Sequence, residues 1–287
     1  MRSWFPPQLP AFIMILAIAS MGVLMFAVST HSVHAAVRKP IRWLLHGAAV
    51  AAIAADNEVS RLLDNTRPFV MMGRNVDAIP PSWNATPFVS FTSVRAIKSA
   101  LEQGTLAPSV KGIMYDNEKW NFTPEEEQQD PARHEKLAAD LVHARGLLFL
   151  AAPAVNLVAV MAPESGGKRY DTYLRLGIVA DAARYADVVD IQAQGSERNT
   201  AVYANFVSQA AAQAREANPK VLVLAGISTN PSGQRVTADD ILRAIAATRD
   251  SVDGYWLNIP QPSEYCPRCN DFRPDIAIDV LHRLAIQ

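Results

Sequence analysis

The chain has 287 residues, is 49% hydrophobic and carries a formal net charge of -1. That size holds one barrel-sized domain or two small ones. A charge so near zero, with no basic stripe interleaved with aromatics, argues against nucleic-acid or acidic-lipid partners.

The amino terminus reads as a targeting region. Ala11 to Ser29 is almost wholly apolar, Arg2 precedes it, and Val33-His34-Ala35-Ala36 follows with the small residues of a cleavage site. The run is also long enough to span a bilayer. A second basic-apolar-small pattern comes next, with Arg38, Lys39 and Arg42 ahead of Leu44 to Ala55. Residues 1–55 are therefore assigned to a signal peptide or membrane anchor, with a core helix as the alternative. Residues 56–287 are assigned to a folded domain outside the cytoplasm, secreted or membrane-anchored.

From Asp56 onward strands alternate with helices. Pro68 to Gly73 and Pro87 to Thr92 read as the first two strands, and Ser93 to Gln103 as a helix closed by Gly104. Gly112-Ile113-Met114-Tyr115-Asp116-Asn117-Glu118 is a short apolar strand ending in acids. Thr123-Pro124 and Asp130-Pro131 are helix starts, and the acidic run Glu125-Glu126-Glu127 reads as capping on a solvated face. Strands follow at Leu147 to Ala152, Val188 to Gln194, Val221 to Ile227 and Gly254 to Ile259, separated by helical stretches, and Asp275 to Ile286 closes the chain as a helix.

Apolar strands alternating with helices predict a parallel sheet covered on both faces. Neither a Gly-x-Gly-x-x-Gly turn nor a phosphate loop follows a strand, so an α/β, (β/α)8 TIM-barrel-like fold is preferred to an open doubly wound sheet. Seven strands can be read and the eighth is not secure. Cys266 and Cys269 have neither a second cysteine pair nor a nearby histidine cluster for zinc, and a local loop disulfide is the expected arrangement. No metal and no cofactor is expected, and the chain should act as a monomer.

Strand parity sorts the polar residues. Asp116 and Glu118 share a face, as do Asp190, Gln192 and Gln194, and as do Trp256 and Asn258. Each set falls near a carboxyl end of a strand, where parallel barrels carry their chemistry. Amides, carboxylates and an indole gathered at one mouth need either each other or a polar ligand. A sugar suits such a set, because hydroxyls take the amides and carboxylates and the ring takes the aromatic face.

The segment Gly112 to Glu118 resembles the fourth-strand signature Asp-Gly-x-Asp-x-Asp-x-Glu of family-18 glycoside hydrolases. Gly112, Asp116 and Glu118 match it, while Lys111 and Met114 stand where the family has acids. Leu147 to Pro153 resembles the next strand of the plant, hevamine-type chitinases. Asp190 to Gln194 lies where that group has a strand ending Gln-Phe-Tyr, with Gln192 matching and Gln194 replacing the tyrosine; Trp256 falls on the last strand, where the family has a tryptophan.

The resemblance implies that Glu118 protonates the glycosidic oxygen. It also implies that Asp116 orients an acetamido group of the substrate that attacks the anomeric carbon. The departures at Lys111, Met114 and Gln194 leave open another sugar, with Asp116 or the rim acid Asp77 as nucleophile or base. The expectation is an extracytoplasmic glycoside hydrolase with Glu118 and Asp116 catalytic and with Tyr115, Gln192, Gln194, Trp256 and Asn258 contacting carbohydrate. Tyr115 is placed there against parity. The alternatives are a barrel that binds carbohydrate without cleaving it, and an anchored structural protein whose polar interior is merely self-satisfied.

Overall fold

Runs such as Phe69–Met72, Gly112–Tyr115 and Val188–Ile191 are buried at every position, so they form strands covered on both sides. The computed structural model describes residues 39–72, 79–231, 235–263, 266, 267, 269 and 271–286. Its strands are β1 (Arg42–His46), β2 (Phe69–Met72), β3 (Thr86–Phe91), β4 (Gly112–Tyr115), β5 (Leu148–Ala151), β6 (Val188–Ile191), β7 (Leu222–Ser228) and β8 (Gly254–Asn258). All neighbours pair in parallel and β8 returns to β1, which closes an eight-stranded barrel. Helices cross between the strands, and the fold is a (β/α)8 TIM barrel.

The strand that sequence reading lacked is β1. It lies inside the stretch assigned to targeting, and the helix Gly47–Ile53 follows it directly. The compact unit containing the barrel runs from Lys39 to Gln287, so the boundary placed after residue 55 is corrected to about residue 39. The cause is composition: a buried strand followed by an alanine-rich helix has the same apolar run and small residues as a signal core. The apolar run Ala11 to Ser29 and its cleavage-site residues lie outside the described residues. Among the described residues no helix is long and apolar enough to cross a membrane.

Alternation divides each strand between two cores. Leu44, Phe69, Met71, Phe88, Met114, Leu150, Val188 and Leu224 fill the inside, and their odd-register neighbours pack outward under the helices. Phe69 and Phe88 meet edge-to-face at 5.2 Å near the floor. Gly112 makes room there, because a Cβ on it would collide with the Phe88 ring. The helices begin where local chemistry says they should. Ser93 accepts from the Ala96 N–H at 3.2 Å, Asp130 from Arg133, and Thr237 forms a reciprocal capping box with Asp240.

Glu127 departs from the solvated face expected for its run. It is 4% exposed, accepts the Tyr115 hydroxyl at 2.6 Å and takes the Val94 N–H at 2.9 Å. It thereby ties the short helix Glu125–Gln129 to the back of β4 and to the helix Val94–Gln103. The Asn117 amide donates to the Glu127 carbonyl at 3.1 Å, and the Ala154 N–H donates to the Asn117 carbonyl at 2.9 Å. The tip of β4 is thus fastened from outside before any inward-facing residue is considered.

Candidate active site

Inside the barrel β4, β6 and β8 change from apolar to polar as they rise. On β4 and its continuation the inward series is Gly112, Met114, Asp116, Glu118. On β6 it is Val188, Asp190, Gln192, Gln194, and on β8 it is Gly254, Trp256, Asn258. The polar ends sit at the carboxyl ends of the strands, the face where barrel enzymes carry their sites.

Asp116 and Glu118 lie together at this mouth. Asp116 is 9% exposed and its Oδ1 accepts the Gln192 Nε2–H at 2.9 Å. The same amide donates to the Ala152 carbonyl at 2.8 Å, so Gln192 bridges β6 to the ends of β4 and β5. Glu118 is half-buried and accepts from the Asn156 amide at 3.1 Å. The Asn156 oxygen in turn takes the Lys119 N–H at 2.8 Å, so one side chain clamps both the acid and the loop that follows it.

Burial pushes the Asp116 carboxyl well above the ordinary range, the charge of Glu118 adds to that, and the Gln192 amide opposes it. Burial raises Glu118 too, against the pull of the Asn156 and Gln192 amides. Such a pair holds a proton to higher pH than ordinary carboxyls do, which favours proton donation.

Other sequence-predicted residues divide by side of the wall. The Gln194 amide lies across Gly226 of β7, close enough that any Cβ there would collide with it. Trp256 is 8% exposed within the inner core, and its indole N–H has no hydrogen-bond partner. Asn258 is half-buried on the same face of β8. Tyr115 is corrected: it is fully buried in the outer core and spends its hydroxyl on Glu127, so it does not contact a substrate in the mouth. Alternation at β4 forces this, since Asp116 faces in. Asp77, the rim acid, lies outside the described residues. Cys266 and Cys269 are joined in a disulfide in the loop after β8. No metal-binding group of three or more His, Cys, Asp or Glu occurs among the described residues.

Asn156 was not assigned a role from sequence, although its place just past the apolar strand Leu147–Ala152 marks it as a mouth residue. Glu197 was missed altogether. It is fully buried and accepts the Gly195 N–H at 2.6 Å and the Ser228 N–H at 2.8 Å, pinning the loop after β6 to the end of β7. Burial still lifts it to about 7, and lifts Asp190 to about 8.

Both raised acids give the fold a pH dependence of definite sign. The folded state holds protons that the unfolded chain has released, so this stabilisation is fully present below the ordinary carboxylate range. It is lost as pH rises through about 7 and about 8. The thermal midpoint should therefore fall between pH 5 and pH 9. Glu197→Gln should lower it throughout and flatten the part of the slope that ends near pH 7; a slope unchanged in that variant would show that Glu197 titrates normally.

Fold and mouth together define a TIM barrel with a carboxylic acid pair, amide-clamped, at the carboxyl ends of its strands. No protein-family model matches the chain, and no curated protein matches it in sequence. Among solved structures the chain is similar to the triosephosphate isomerase of Bartonella henselae, with 12% identity, 85% of this chain and 99% of that one covered, and a TM-score of 0.48. It is similar to a putative alpha-L-fucosidase from Bacteroides thetaiotaomicron, with 10% identity, 94% and 98% covered, and a TM-score of 0.48. It is also similar to the PgaB (BpsB) glycoside hydrolase domain from Bordetella bronchiseptica, with 9% identity, 84% and 99% covered, and a TM-score of 0.44. Glycoside hydrolases with barrel folds are thus among its structural neighbours, beside barrels of other chemistry.

Proposed function

We propose that the chain is an extracytoplasmic glycoside hydrolase in which Glu118 is the general acid and Asp116 its partner. The observation that carries this reading is the pairing of a half-buried, amide-clamped Glu118 with a buried, amide-held Asp116 on one inward face. Glu118 would hand its proton to the glycosidic oxygen as the bond to the anomeric carbon breaks, and a water would later attack that carbon, release the acetamido oxygen bound there and give its proton to Glu118. In the family-18 manner the substrate's acetamido oxygen would attack the anomeric carbon, with Asp116 orienting its N–H. Gln192 holds Asp116 in place for that task, and Gln194, Trp256 and Asn258 line the remaining mouth as sugar contacts. The N-terminal region would carry the domain out of the cytoplasm, cleaved or retained as an anchor.

A panel of soluble glycans, half with N-acetylated sugars and half without, incubated with the intact protein and scored for new reducing ends, tests the reading. Cleavage confined to N-acetylated glycans is the expected result. Cleavage of other glycans alone would remove the acetamido mechanism and keep the hydrolase. Binding with no product from any glycan would replace the enzyme with a carbohydrate-binding barrel.

A further inference from the structure

Asp190 is fully buried on β6, and neither of its carboxyl oxygens has a hydrogen-bond partner. A carboxylate in that state would lack both water and a donor, which is the most costly condition a side chain can be in. Its position is set by register. Met114 pairs with Leu150, the Ala152 N–H donates to the Tyr115 carbonyl at 3.0 Å, and Leu150 pairs with Val188. Continued by two residues, this places Asp116, Ala152 and Asp190 side by side on three successive strands, all facing inward. Strands are about 4.8 Å apart, so the two acids stand two strand spacings from each other, about 10 Å at the backbone. On the strand between them the residue at this level is Ala152, whose side chain is only a methyl group, and side chains from alternate strands share a layer in such barrels.

We propose that Asp190 is a positioning residue of the candidate site: a neutral carboxylic acid beside Asp116 whose charge state governs how Asp116 and Glu118 divide their protons. The inference rests on the assignment of those two acids, and it extends to a residue that does not touch substrate. The proton belongs on Asp190 because Asp116 receives the Gln192 amide, which favours its anion, whereas Asp190 receives no donor. When Asp190 ionises, its charge falls on its neighbours and pushes the Asp116 carboxyl up, beyond what burial and Glu118 do. The ionisable groups that feel its charge are Asp116, with Glu118 beyond it, Tyr173 on the helix Arg169–Leu176 and Tyr203 on the helix Thr200–Ala217. β5 and β7 place only Ala152 and Leu224 at its level. Among the described residues no Lys, Arg or His side chain hydrogen-bonds to it.

The test uses the intact protein with aspartate labelled at the side-chain carboxyl carbon, and follows Asp116 by NMR from pH 4 to pH 10, its signal assigned through Asp116→Asn. In wild type the Asp116 signal should bend twice, once for its own titration and again near pH 8 as Asp190 ionises. In Asp190→Asn, which mimics the neutral acid, the second bend should vanish. An Asp116 curve that is the same in both proteins overturns the proposal. If Asp190→Asn does not fold, wild type alone decides, because a single bend has the same consequence. Where a glycan is cleaved, the alkaline limb of kcat/KM should move by half a pH unit or more in Asp190→Asn. Loss of the second bend in a protein that cleaves nothing would leave the Asp190 inference standing and remove the hydrolase, so the two readings fail separately.

Discussion

Glu118→Gln should abolish glycan cleavage to within about one part in a thousand while leaving the thermal midpoint unchanged. General acid catalysis by a positioned carboxyl contributes roughly 10²- to 10⁴-fold, and glutamine has no proton to give. The fold should not notice, since the Glu118 side chain has the Asn156 amide as its bonded partner and the oxygen of the substituted amide can accept the same bond. Cleavage by Glu118→Gln at the wild-type rate would move the acid elsewhere, with Asp116 the next candidate. Asp116→Asn should cost less in rate and more in stability, because its carboxylate also anchors Gln192 and, through it, the Ala152 carbonyl of the neighbouring strand.

The second large effect concerns the barrel seam. Gly254 opens β8 and pairs with Arg42 of β1, and a Cβ at Gly254 would penetrate the Arg42 carbonyl. A backbone carbonyl in a strand cannot rotate away as a side chain can, so the strands must part. Gly254→Ala should cost about 3 kcal/mol, the upper end for overpacking. That is roughly 6–12 °C of thermal midpoint for a domain of this size. Gly167→Ala, which meets nothing within 4 Å, is the control and should fall within about 0.5 kcal/mol of wild type. Equal midpoints for the two variants would mean that β1 and β8 are less tightly joined than their register indicates.

The mouth was legible in the sequence to the extent that alternation alone could order it. Parity put Asp116 with Glu118, Asp190 with Gln192 and Gln194, and Trp256 with Asn258, and the inward series of the barrel has those members. The same rule turned Tyr115 outward, and naming it as a sugar contact ran against it. Glu127 was misread because a helix-start run of three acids has a sufficient local explanation in the helix dipole, and nothing local reveals a tyrosine hydroxyl reaching it from a strand. Glu197 gave no signal because its partners are backbone N–H groups. Asn156 could be placed at the mouth but its double clamp depends on a tertiary approach across 38 residues. β1 was lost because hydropathy cannot tell a buried strand and its following helix from a signal core.

The position of β1 sets where this domain can be cut. A protein shortened to begin at Asp56 would lack the strand that bridges β8 and β2, and the cylinder would become a sheet with two bare borders. Those borders would expose rows of unpaired N–H and C=O groups along apolar sequence, a template for pairing with other chains. Such a protein should be recovered as aggregate, whereas one beginning at Lys39 should be recovered dispersed. Any peptidase that matures this chain has to act before the strand that a signal-like pattern disguises.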